Sequence, residues 1–139
     1  MTMKIATINV LVSILGGMKL NKISDKKVKT ALVNDYLHLR RFVKDTEADR
    51  QALVDKFQSD WADELDEVEA FRREGKPVVG HDCYLEAEKD ANKAISDLFL
   101  QEVEVEVKSI PMSDFTAFCG AEELTLEQLA FLQESGIVE

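Results

Sequence analysis

A chain of 139 residues with 45% hydrophobic and 32% charged residues can bury one core and solvate its outside. Two prolines and six glycines leave too few turn residues for an all-β fold, and the apolar content excludes a disordered chain. No run approaches the roughly 18–20 apolar residues of a membrane span. The nearest, Ile5 to Leu15, is interrupted by Thr7, Asn9 and Ser13.

Lys4 and the apolar run after it imitate the first two parts of a secretory signal peptide, but a cytoplasmic protein is the preferred reading. Cys83 and Cys119 are the only cysteines and form no Cys-x-x-Cys pair, so neither a disulfide framework nor a zinc knuckle is expected. Buried free thiols in a reducing compartment fit better. The net charge of −10 is unevenly spread: residues 1–44 hold nine Lys or Arg against Asp25 and Asp35, and residues 45–139 hold eight against 25 acids. A chain so polarised can pair its own ends or assemble head to tail with a copy.

Ile5, Ile8, Leu11, Val12, Leu15 and Met18 recur in steps of three and four, which predicts an N-terminal helix, with a strand over its first positions as the alternative. Gly16 and Gly17 weaken its end. Ser24 reads as the next N-cap, with Asp25 adding negative charge at the helix start. From Lys26 to about Glu74 there is neither proline nor glycine. Leu32, Tyr36, Leu39 and Val43 form a heptad-like seam, and Leu53, Phe57, Trp61, Leu65, Val68 and Phe71 a second, with polar Thr46 and Arg50 between them. One long helix is preferred, and a break between Asp45 and Arg50 is the alternative.

Gly75 to Gly80, with Pro77 inside, forms the one clear linker. Asp82 can cap a helix to about Leu100 that turns Leu85, Ala91, Ile95 and Leu98 inward, antiparallel to the Leu53–Phe71 seam. The period then changes. Val103, Val105 and Val107 alternate with Glu102, Glu104 and Glu106, a half-buried strand ended by Pro111. Such a strand needs a ladder, either with residues 4–12 or with a second chain. Ser113 and Asp114 open a short helix ended by Gly120. Thr125-x-x-Gln128 is a capping box for a last helix with Leu126, Leu129 and Leu132, and Gly136 stops it before Ile137.

Few residues suggest chemistry. His81-Asp82-Cys83 lacks the further histidines of a metal hydrolase, and Cys83 lacks a base that sequence can place beside it, since His38 is the only other histidine. A cap and loop explain the tripeptide. Glu64 and Glu67 on one helix with Glu86 and Asp90 on the next could hold Mg²⁺ for an all-α nucleotide hydrolase. The expected Glu-x-x-Asp half is missing, however, because Lys89 stands three residues after Glu86. Solvated helix faces account for the four carboxylates, and no metal, cofactor or catalytic residue is assigned. Lys19, Lys22, Lys26, Lys27, Lys29, Arg40, Arg41 and Lys44 could meet phosphate, but no aromatic residues suited to base stacking interleave them. Pairing with acidic protein surface is the preferred use, which makes nucleic acid the lesser alternative.

The opening Lys4-Ile5 segment ending in Gly17-Met18-Lys19-Leu20 is followed by a charged helix through Arg50 to Phe57, the Glu102–Val107 alternation with Ile110, and a small C-terminal helix. In this layout the chain resembles small phage and prophage proteins of unassigned role. The resemblance implies a cytosolic, non-catalytic part in phage assembly or host interaction, and brings no catalytic residues with it. The expected protein is mainly α and a single domain. An N-terminal segment (1–24) precedes a long antiparallel, coiled-coil-like hairpin (25–100), then a strand near 102–110 and a small C-terminal helical cap (101–139). Its expected role is protein interaction or self-association.

Overall fold

The computed structural model describes residues 1–119 and 123–139. The fold is mainly α. In chain order it comprises β1 (Thr2–Lys4), α1 (Ile5–Gly16), a 3-10 turn (Leu20–Lys22), α2 (Lys26–Asp60), α3 (Ala62–Arg73), α4 (Asp82–Leu100), β2 (Glu102–Glu104), α5 (Met112–Phe118) and α6 (Leu126–Glu134). Two compact units result: Met1–Lys44 with Glu102–Glu139, and Asp45–Gln101.

In the first unit Ile5, Ile8, Leu11 and Leu15 of α1 are buried as expected and Ile14 with them, while Val12 and Met18 are only half-buried. The helix begins only after a short strand. β1 pairs antiparallel with β2, with Thr2 opposite Glu104 and Lys4 opposite Glu102, so of the expected residues 4–12 only Lys4 joins the ladder and the rest of the partner precedes them. The ladder is also shorter than the alternating sequence. Val105 donates to the Met1 carbonyl at 2.8 Å, and beyond it the backbone turns to side chains of α2. The amide of Lys108 donates to Asp35 Oδ1 at 2.7 Å, and that of Glu106 approaches His38 Nε2 at 3.4 Å. Ile110 then meets the C-terminal residues, donating to the Ile137 carbonyl and accepting from Glu139. The alternation itself holds, with Val105 buried, Val103 and Val107 half-buried, and all three glutamates exposed.

Several caps differ from the local expectation. Asp25, not Ser24, caps α2, its Oδ1 accepting from the amides of Lys27 and Val28 at 2.9 and 3.0 Å. Helix α5 begins directly after Pro111, earlier than Ser113, while Gly120 lies outside the described residues. The Thr125–Gln128 capping box forms in both directions. Leu126 is 86% exposed, so that helix turns Leu132 inward without it. Gly136 adopts φ +83° and Ile137 after it is fully buried, the expected stop.

In the second unit, α2 runs unbroken through Asp45–Arg50, where Arg50 Nε donates to Glu47 Oε2 at 3.0 Å one turn away. The interruption comes at Trp61, whose φ of −119° and ψ of 24° leave the helical region. No glycine or proline marks it. The Trp61 ring instead meets Tyr84 edge-on at 5.9 Å, and Phe57 meets the same ring at 5.3 Å. Helix α4 thus packs back against the α2–α3 arm as a hairpin, but Tyr84 is its fully buried anchor, where Leu85 was expected. Leu85, Ala91, Ile95 and Leu98 are half-buried, and so is Trp61. Among the described residues no helix is long and apolar enough to cross a membrane.

Candidate functional site

The four carboxylates singled out by the sequence do not converge. Glu64 Oε2 lies 2.9 Å from His81 Nδ1, and Glu67 Oε2 lies 3.1 Å from Nε2 of the same ring. A carboxylate only accepts, so Nδ1 donates to Glu64, and the imidazole stands between the two carboxylates. Glu86 and Asp90 are exposed on α4. Among the described residues no group of three His, Cys, Asp or Glu side chains is placed to hold a metal ion.

His81 also immediately precedes α4, with Asp82 in the first turn instead of capping it by a side-chain bond. Cys83 is exposed, contrary to the buried thiol expected, and Cys119 is buried. Burial, with the Asp25 charge nearby, pushes the Cys119 thiol up to about 11, which leaves little thiolate for nucleophilic work. His38 is occupied within the first unit, between the Glu106 amide and an edge-on contact with Phe42 at 5.6 Å. Elsewhere in the second unit Arg72 grips Glu88 through two bonds of 2.8 and 2.6 Å, and the guanidinium holds that carboxyl below its ordinary value.

One cleft of the first unit has an almost wholly apolar lining. The end of α1 supplies Leu15 and Gly16, and the segment after it, with its 3-10 turn, supplies Met18, Leu20 and Ile23. Leu32, Val33, Tyr36 and Leu37 of α2 complete a cleft of about 320 Å³. Gly16 is what lets the two helices close together here: a Cβ at that position would sit 3.3 Å from the Tyr36 ring. Although Ile23 and Leu32 are buried in its floor, Leu20 and Leu37 remain 54% and 48% exposed at its edges.

Cations neighbour the lining residues along the chain. Lys19 and Lys22 flank Leu20 in the chain, Lys29 lies one helical turn before Val33, and Arg41 one turn after Leu37. The Arg40 guanidinium lies 5.9 Å from the centre of the Tyr36 ring. Lys22 additionally pairs with Glu123. The two acids that share residues 1–44 with these bases both accept backbone amides. Asp25 is spent on the α2 cap, and Asp35 is 2% exposed beneath the 105–110 segment. Burial raises the Asp35 carboxyl above its ordinary value, against the smaller opposing effects of the Lys108 amide and the Lys108 and His38 charges.

The basic cluster was legible from sequence; the groove was not. Val33 and Leu37 sit one position off the Leu32–Tyr36 seam, and their four-residue spacing was the available signal of a second apolar stripe on α2. Comparison of this chain with protein-family models, with curated proteins and with solved structures finds no match.

Proposed function

We propose that this is a non-enzymatic interaction or assembly protein that engages a protein partner through the groove formed by residues 15–37. The observation that carries the reading is the exposure of Leu20 and Leu37 at the edges of an apolar cleft. Apolar side chains clustered in a concavity and rimmed by polar ones gain most when another protein covers them, because the hydrophobic contribution scales with area removed from water. The layout resemblance to small phage and prophage proteins makes phage assembly or host interaction the setting of this role.

Site-specific photo-crosslinking tests it. A photoreactive residue replacing Leu37 is expected to yield protein adducts, and the same residue replacing exposed Gln51 none. Equal yields at both positions would defeat the reading. So would hydrolysis of nucleotides with Mg²⁺ or Mn²⁺ that disappears in Glu67→Gln, since this would favour a metal-dependent hydrolase using Glu64, Glu67, Glu86 and Asp90.

A further inference from the structure

Resting on that reading, we infer that the occupant of the groove is an acidic amphipathic helix of a partner protein. Two independent properties of the cleft select this class. Its floor is apolar and concave, lined on the α2 side by Leu32, Val33, Tyr36 and Leu37 over about one and a half turns. A convex row of apolar side chains at i, i+3, i+4 and i+7 fills such a trough, the usual helix-in-groove arrangement.

Its rim is mainly basic among the described residues, with Lys22 already paired to Glu123. Lys19, Lys29, Arg40 and Arg41 neighbour the lining residues along the chain, while Asp25 is engaged in the cap. Residues 1–44 carry nine bases against two acids, and Asp35 is buried beneath the 105–110 segment, so carboxylates flanking the apolar stripe of a bound helix complement the remaining cations. A duplex or single-stranded nucleic acid would satisfy the cations but leave the leucines uncovered. The groove's one aromatic ring, Tyr36, already carries Arg40 near its face. A flat anionic bilayer would meet the rim and reach Leu20 and Leu37 without filling the floor between them.

The experiment uses the full chain and two fluorescent helical peptides that share a leucine stripe, one with glutamates at every other position and one with lysines. The acidic peptide is expected to bind, to weaken roughly tenfold or more between low and high salt, and to lose roughly tenfold or more in Leu37→Glu. Arg40→Glu combined with Arg41→Glu should weaken it and improve the lysine peptide, a reversal that misfolding cannot produce. Equal binding of both peptides by the unaltered chain, or an acidic peptide insensitive to Leu37→Glu and to the double reversal, overturns the inference. Self-association abolished by Leu37→Glu, with no peptide binding, assigns the groove to a second copy; it overturns the acidic-helix occupant and leaves the interaction reading intact. Binding to duplex DNA or phosphatidylserine vesicles that needs Leu37, without peptide binding or self-association, overturns both.

Discussion

Asp35 offers the sharpest test of how the first unit is held together. The residue is 2% exposed, one carboxyl oxygen accepts the Lys108 amide at 2.7 Å, and the other has no hydrogen-bond partner among the described residues. The acceptor and the charge therefore have opposite effects. Asp35→Ala removes the acceptor and strands a backbone amide, which costs about 1–3 kcal/mol, plus the vacated space. Asp35→Asn keeps an acceptor of the same size and removes the charge whose burial is unfavourable.

The sign of the pH dependence follows from the raised carboxyl. On titrating upward the unfolded chain loses the Asp35 proton first, near the ordinary value of 3.8, while the folded chain still holds it. The stabilising contribution is thus complete below that value and is lost as pH rises through the folded-state value. Asp35→Asn should accordingly match the unaltered chain in acid and equal or exceed it at neutral pH. The assay is the difference in urea-unfolding free energy between the two proteins across pH, with hydrogen exchange at the Lys108 amide reporting the local contact. If Asp35→Asn loses as much as Asp35→Ala at pH 7, or its relative stability falls as pH rises, the reasoning is refuted.

The second unit and the turns give further tests. Trp61→Ala should cost about 2 kcal/mol, roughly half the value for a fully buried Trp, and its fluorescence in the unaltered chain should lie between the buried and aqueous limits; a cost under about 0.5 kcal/mol would detach it from Tyr84. Gly136→Ala should lose about 1–2 kcal/mol through its left-handed backbone, read by urea unfolding, because the neighbouring Met1 side chain 3.2 Å from the new Cβ can move; an unchanged midpoint would contradict the turn. His81→Ala should cost only about 0.5–1 kcal/mol, since Glu64 and Glu67 are partly in solvent, and the loss should shrink in high salt. A salt-independent loss would show that the ring matters by packing on Phe71 rather than by its two carboxylates.

Local patterns revealed what local forces decide. The period of α1, the Thr125–Gln128 box, the Gly136 stop and the valine alternation are each set by residues within one or two turns, and each appears as expected. What the local pattern missed depends on partners far along the chain. Nothing near Val103 indicates that its ladder is completed by Thr2–Lys4, or that Asp35 and His38 will take the amides beyond it. Asp35 looks like an ordinary solvated helix acid until residues 105–110 cover it. Trp61 continues a regular seam in sequence, and no residue near it signals that the helix leaves its path there. For the candidate site, the rim was visible as a run of lysines and arginines. The floor was hidden because it combines residues from α1, the 3-10 turn and α2, none with a distinctive pattern of its own.

The pairing of β1 with β2 joins residues about a hundred positions apart, with the whole of α2, α3 and α4 between them. A chain emerging from the ribosome completes Ile8 and Leu11 long before it makes Val105 or Ile110, so the first unit must wait, with apolar surface uncovered, until the hairpin has been synthesised. Closing so long a loop slows assembly far more than it weakens the product, because the entropic cost grows only logarithmically with its length. The hairpin rests on contacts closer in sequence, so the sheet should close after it. Crowding or a shortage of chaperones should therefore be felt first by the unit that contains both ends of this sequence.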